Sequence, residues 1–184
     1  VYKRQRQYLF LHNVRFPMFA KYSEPHLYGS LVGQTRNLHI PSTDNVTLGA
    51  WHYLPKAFYD AHVNELQNTQ AEALNALFDE ALRTYPTYVF LHGNGMNRAA
   101  SFRVRTCTDI AQELNANVFA IDYRGYGDST GYPTEQGVVD DAYNAVQYVR
   151  ERSRSVAADS GPGIAIVGQS LGTGIGAQTA LRMY

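Results

Sequence analysis

The sequence has a single cysteine, no excess of charge and no long apolar run. Cys107 cannot form a disulfide within the chain, although one cysteine does not exclude an oxidising compartment. The 16 basic residues balance the 16 acidic ones, so we expect no nucleic-acid partner. No run approaches the ~20 apolar residues of a membrane-spanning helix, and we identify no signal peptide. The 184 residues are 45% hydrophobic, which suffices for one sizeable core.

Residues 163–174 predict a buried strand, a tight turn and a helix around Ser170. The turn has the pattern Gly-x-Ser-x-Gly, and we expect Gly168 and Gly172 to be required because side chains would collide across the bend. Such a turn places the serine hydroxyl at the N-terminus of the helix, where the dipole favours negative charge. The pattern indicates a nucleophilic serine. The alternative is a glycine-rich loop that contains a serine by chance.

The sequence before this turn alternates between strand and helix patterns. Residues 37–41 and 46–54 predict an antiparallel hairpin. Apolar runs at 88–91 and 117–121 predict two more strands, separated from each other and from the strand at 164–167 by helices. This alternation predicts an α/β protein whose parallel strands have helices on both faces.

Three helices are predicted before the serine turn. One starts at Thr69, one covers about 97–114 and one is capped by Thr134. In the second helix we expect four residues to face the core, namely Phe102, Ile110, Ala111 and Leu114. In the third, valines and alanines form an apolar stripe, and Asp140 and Asp141 lie outside it.

The strand at 88–91 ends in His92-Gly93-Asn94-Gly95. Two glycines allow the backbone to turn with its amides outward, as a loop that binds an oxyanion requires. An ordinary turn is the alternative, but acyl transfer needs a second amide donor besides the one that follows the nucleophile. We expect His92 to order this loop rather than act as a base.

A second loop, residues 122–129, follows the strand at 117–121 and alternates aromatic residues and glycines with charged residues. We expect Asp122 and Arg124 to anchor it. A structural role for Asp122 is preferred to that of catalytic acid, because Asp122 precedes the nucleophile in sequence.

Residues 1–35 form an N-terminal arm that mixes cations with aromatic groups. Such an arm could rest on a membrane surface or pack on the globular body, and both alternatives stay open. Asn45 begins a glycosylation sequon beside a strand, and we favour a chance match. We assign no cofactor and no metal.

The two loops and the serine turn together resemble the serine α/β hydrolases. With residues 46–55, they are most similar to the α/β-hydrolase-domain-12 group of monoacylglycerol and lysophosphatidylserine lipases. The resemblance implies that Ser170 is the nucleophile and that the amides of Asn94 and Leu171 form the oxyanion hole. It also implies an acylglycerol or lysophospholipid substrate, and a lumenal domain tethered to the endoplasmic reticulum membrane. Two departures, Gln169 for a common histidine and Met96 within the first loop, leave these backbone donors in place.

The order of catalytic residues in this fold is serine, then acid, then histidine. No Asp, Glu or His follows Ser170 in this sequence. We therefore expect residues 36–184 to form the front part of a hydrolase domain, without its later strands, and to be inactive and prone to aggregate alone. The alternative is a non-catalytic short isoform that binds lipid or a partner.

Overall fold

In a computed structural model, which describes residues 17–68, 71–154 and 161–183, the chain forms a mixed five-stranded sheet flanked by helices. The strands are β1 (Thr35–Pro41), β2 (Thr47–Tyr53), β3 (Thr87–Leu91), β4 (Asn117–Ile121) and β5 (Ile164–Gly168). The helices are α1 (Lys56–Asn68), α2 (Ala71–Thr84), α3 (Ser101–Glu113), α4 (Glu135–Ser153) and α5 (Leu171–Met183).

The sheet order is β1-β2-β4-β3-β5. β1 and β2 form the predicted antiparallel hairpin, and β2 also runs antiparallel to β4. β3 lies parallel to both β4 and β5, so the ends of these three strands meet at one edge of the sheet. The predicted α/β fold class, with a hairpin followed by parallel strands, is confirmed.

Alternate residues of the central strands enter two hydrophobic clusters, one on each face of the sheet. In β4, Phe119 and Ile121 pack in the cluster with α4 and α5, whereas Val118 and Ala120 pack in the cluster with α3. Burial on both faces explains why these strands are continuous apolar runs rather than alternating ones. The prediction of helices on both faces is confirmed.

The helix predicted over 97–114 is shorter than expected. It begins at Ser101, because residues 97–100 form a turn closed by the Ala100 N–H and the Asn97 carbonyl at 3.1 Å. Phe102 and Leu114 were expected in the core, and that was wrong, since they are 45% and 53% exposed. The buried face of α3 consists of Arg103, Val104, Cys107 and Ala111.

Two further helical expectations also changed. α1, which buries Phe58, Tyr59 and Leu66, was not predicted. The helix expected to start at Thr69 corresponds to α2, whose described part begins at Ala71; Thr69 itself lies outside the described residues. In α4 the Thr134 cap is confirmed by its bond from the Gly137 N–H. Asp141, expected outside the apolar stripe, is fully buried, because it pairs with Arg124 at 2.9 Å.

The described part of the N-terminal arm packs on the body of the protein. The Trp51 Nε1–H donates to the Tyr22 carbonyl at 2.8 Å, and the Tyr28 ring lies 5.7 Å from that of Trp51. Residues 1–16, including most of the cations of the arm, lie outside the described residues. Among the helices in the described ranges, none combines the length and apolar character that crossing a bilayer demands.

β5 lies at the edge of the sheet and pairs only with β3 among the strands described. A groove of about 470 Å³ follows this edge, between β5, the C-terminal half of α4 and the length of α5. Ile164 and Ile166 line it and are only half-buried. The open apolar edge expected from the sequence is therefore present in the structure.

Candidate active site

Ser170 lies at a sharp bend between β5 and α5, with its side chain exposed. Its φ of 51° is in the left-handed region, which a residue with a Cβ seldom adopts. A Cβ atom at Gly168 would lie 2.6 Å from the Gly172 carbonyl oxygen and from the Thr173 nitrogen. Glycine at 168 is therefore required for the bend to close.

The bend is tied to the end of β3. The Gln169 N–H donates to the Leu91 carbonyl at 2.9 Å, and the Thr173 N–H donates to the Ser170 carbonyl at 2.9 Å. Leu171, the expected donor to an oxyanion, is the first residue of α5. The next two N–H groups, of Gly172 and Thr173, donate to the Gln169 and Ser170 carbonyls. The Leu171 N–H lies at the helix N-terminus, where the helix offers no acceptor of its own and an anion can bind.

The loop after β3, residues 92–97, lies directly against Ser170. A Cβ atom at Gly93 would lie 3.3 Å from the Ser170 Cβ. The Gly93 N–H lies 3.4 Å from Oε1 of Gln169, the residue before the serine. Gly95 and Met96 both have positive φ, 67° and 59°. The structure thus brings the loop and the serine together, and the roles of His92, Gly93, Asn94, Gly95 and Leu171 stay predictions.

Two tyrosines from the loop after β4 fix this first loop. The Tyr123 hydroxyl donates to the His92 carbonyl at 3.0 Å. The Tyr126 hydroxyl donates to the Asn94 Oδ1 at 3.0 Å, and the Gly95 N–H donates to the same oxygen. The two loops are neighbours because β3 and β4 pair in parallel, with Leu91 opposite Ile121.

His92 is buried beneath the loop. Its Nδ1–H donates to the Gly93 carbonyl at 2.7 Å, and its Nε2 lies 3.3 Å from Oδ1 of Asp122. The ring packs against those of Tyr123 and Tyr126. These contacts agree with the expectation that His92 orders the loop.

Asp122 is fully buried and paired with Arg98 at 2.6 Å. Burial raises the pKa of Asp122, but Arg98, together with His92, lowers that pKa by more, and the net shift is downward. Arg98 also binds Asp128 at 2.6 Å and Asn37 at 2.8 Å. Asp122 therefore holds the two loops together, as the preferred structural role implied.

Two arginines that support the site, Arg98 and Arg103, were not predicted from the sequence. Arg103 lies on the buried face of α3 and donates to three backbone carbonyls of the 92–97 loop. The available signal was a charged residue on the same helical face as Cys107 and Ala111, where an apolar residue is expected.

No histidine or carboxylate within the described ranges hydrogen-bonds to the Ser170 hydroxyl. Nor do His, Cys, Asp and Glu residues in these ranges gather into a group that could hold a metal ion. What the arrangement provides is an exposed hydroxyl, a helix N-terminus and a loop of backbone amides at one point. Such a combination is suited to stabilise negative charge that develops on an acyl group.

The sequence is similar to that of known α/β hydrolases. A family model described as alpha/beta hydrolase fold matches residues 88–184. The lysophosphatidylserine lipase ABHD12 of Xenopus tropicalis is 32% identical over 181 residues, which are 97% of this chain and 42% of that protein. The human protein ABHD12B is 31% identical over 151 residues, 81% of this chain and 37% of that protein. The chain thus spans less than half the length of these curated relatives.

Solved structures support the same fold. A hydrolase from Vibrio vulnificus has a TM-score of 0.60 at 16% identity, covering 95% of this chain and 49% of that one. An esterase from Pyrococcus furiosus has a TM-score of 0.57 at 18% identity, covering 90% of this chain and 50% of that one.

Proposed function

Since the chain belongs to the α/β-hydrolase family, we propose that it carries the nucleophile of a serine hydrolase that cleaves acyl esters of lipids. The observation that carries this proposal is the exposed Ser170 hydroxyl at a strained bend, against the 92–97 loop. A serine without a function would not need a bend that costs about 1–2 kcal/mol of backbone strain.

In the proposed reaction the Ser170 oxygen attacks the acyl carbonyl and forms a tetrahedral intermediate. The amides of Asn94 and Leu171 and the dipole of α5 stabilise the negative charge on the carbonyl oxygen. The alcohol portion of the lipid then leaves, and water hydrolyses the acyl-enzyme. The serine needs a base to accept its proton. In this fold the acid and the histidine follow the nucleophile, and residues 171–184 contain neither.

The proposed substrate class is lysophospholipids of the lysophosphatidylserine type, or monoacylglycerols. Support comes from the curated relatives named lysophosphatidylserine lipase. A membrane surface as the place of action, and the endoplasmic reticulum as the location, are proposed on the family resemblance alone.

The other candidate function is a non-catalytic protein that binds lipid or a partner. It is favoured by the absence, within the described ranges, of a histidine or carboxylate bonded to the Ser170 hydroxyl. On this hypothesis the bend and the loop would bind an acyl group or an anion without turnover.

Labelling with a fluorophosphonate probe distinguishes the two functions. We expect the full-length protein to be labelled and to hydrolyse a lysophospholipid. The Ser170→Ala variant should lose both the labelling and the hydrolysis. The matched control is Ser23→Ala, which removes an exposed serine from the N-terminal segment and should change neither. Labelling that persists in Ser170→Ala, or a full-length protein that is never labelled, would contradict the proposed function.

A further inference from the structure

Arg103 is a buried cation that contacts the loop beside Ser170. It is the third residue of α3 and only 2% exposed. Its Nη2 donates to the carbonyls of Gly93 at 3.0 Å and Gly95 at 2.8 Å, and its Nη1 donates to the Asn97 carbonyl at 3.2 Å. One guanidinium thus binds three carbonyls of a single loop.

The three carbonyls are the main groups that compensate the buried charge of Arg103. Within the described ranges, no carboxylate is in hydrogen-bond contact with the guanidinium, and Nε has no partner. Burial lowers the pKa of Arg103 from its ordinary value, although Asp122 opposes that shift. A charge that is buried without a paired carboxylate is costly, so a purely structural role would be served better by an apolar residue on this helical face.

The direction of the Gly93 carbonyl also sets the direction of the Asn94 N–H, because the peptide bond between them is planar. In a trans peptide, the C=O of one residue and the N–H of the next point in opposite directions. Because the Gly93 carbonyl points at Arg103, the Asn94 N–H of the same peptide points away from it. Gly93 itself lies against Ser170, where its Cβ would be 3.3 Å from that of the serine.

We propose that Arg103 is a positioning residue, which fixes the Gly93–Asn94 peptide so that the Asn94 N–H serves the oxyanion hole. It does so together with His92, whose Nδ1–H donates to the same Gly93 carbonyl at 2.7 Å. This inference rests on the proposed function of Ser170 as the nucleophile. Arg103 takes no part in bond making or breaking, and it acts only through the orientation of the loop.

The loop needs such a constraint because its own backbone permits other orientations. Glycines at 93 and 95 allow a peptide to rotate at little steric cost. A rotated Gly93–Asn94 peptide would present a carbonyl oxygen where the N–H is required, and would repel the developing negative charge. Loss of one oxyanion donor reduces kcat by about 10²–10³-fold in serine hydrolases.

The test measures kcat, KM and thermal unfolding of Arg103→Gln and Arg103→Lys in the full-length protein with a lysophospholipid. We expect Arg103→Gln to lower kcat about 100-fold while KM changes less than about threefold, because the lost interaction is made in the transition state. The kcat of Arg103→Lys should be about tenfold higher than that of Arg103→Gln, since one ammonium near the Nη2 position can still bind the Gly93 and Gly95 carbonyls.

The matched control is Arg36→Gln. Arg36 is another largely buried arginine, and it joins β1 to Asp79 of α2 at 2.8 Å, away from the loop. Its loss should lower the unfolding temperature and leave kcat unchanged. If Arg103→Gln does not fold, Arg103→Lys decides the matter, with a lowered kcat at unchanged KM as the supporting result.

The inference is overturned if kcat of the Arg103 variants stays within about threefold of the wild type, or if Arg36→Gln lowers kcat equally. Ser170→Ala separates this failure from that of the proposed function. Turnover that survives in Ser170→Ala removes both proposals. Turnover that is lost in Ser170→Ala and kept in the Arg103 variants removes only the present one.

Discussion

Gly172 packs so closely on the end of β3 that a Cβ atom at this position would lie 1.9 Å from the Leu91 carbonyl oxygen. The helix that follows Ser170 therefore rests directly on the strand that leads into the 92–97 loop. This contact couples the position of the proposed nucleophile to that of the proposed oxyanion loop.

Gly172→Ala should therefore destabilise the protein and, in the full-length protein, reduce the proposed ester hydrolysis. We expect a loss of about 1–3 kcal/mol in the free energy of unfolding, because the added methyl group forces α5 away from β3. Gly174→Ala is the matched control, since nothing lies within 4 Å of a Cβ there, and it should be neutral or stabilise by up to about 1 kcal/mol. Urea unfolding of both variants measures the difference, and equal stabilities would refute the close contact.

Ser170→Gly should be more stable than Ser170→Ala, although both variants should be inactive. The positive φ of residue 170 strains any residue with a Cβ, and glycine relieves this strain by about 1 kcal/mol. Both variants lack the hydroxyl, so the difference between their free energies of unfolding in denaturant measures the backbone strain. Equal stability of the two would show that the bend is not strained.

The buried Arg98–Asp122 pair should make stability depend on pH in the acid range. The pKa of Asp122 is lowered in the folded protein from 3.8, so its stabilising effect is complete above that value and is lost as pH falls through the folded pKa. Asp122→Asn should lose about 1–3 kcal/mol at pH 7, because buried Arg98 loses one of its two carboxylate partners and keeps only Asp128. The stability of this variant should fall less steeply in acid.

Unfolding measured from pH 7 to pH 3 tests this prediction. Asp60→Asn is the control, because Asp60 forms an exposed pair with Lys56 and should contribute no more than about 1 kcal/mol. A wild-type acid profile parallel to that of Asp122→Asn would contradict the assignment.

The open edge of β5 should make residues 1–184 self-associate when they are produced alone. Ala165→Lys places a charge on an exposed position of this edge strand, and we expect it to reduce the aggregated fraction, since charged residues block pairing between edges. Ala73→Lys, an exposed position on α2, should have no such effect. Light scattering after size-exclusion chromatography measures both, and a monomeric wild-type chain would disprove the expectation.

The elements around the proposed nucleophile could be predicted from the sequence because they are local. Gly168, Ser170 and Gly172 lie within five consecutive positions, so steric constraints on the turn are visible in the residue types. The same holds for the strands, whose short apolar runs are typical of a sheet covered on both faces. The error at Phe102 arose because the stripe on α3 contains Arg103, which interrupts the apolar period.

The sequence by itself determined the fold class, the hairpin, the bend at Ser170 and the glycines that it needs, because each depends on residues close together in the chain. Only the tertiary structure decided that Arg98 pairs with Asp122, that Arg124 pairs with Asp141 and that Arg103 binds the 92–97 loop. The two ion pairs are set by the register of β3 on β4 and by the packing of α4, which bring distant residues together. Arg103 is close to its loop in sequence, but only the direction of α3 turns its guanidinium toward those carbonyls.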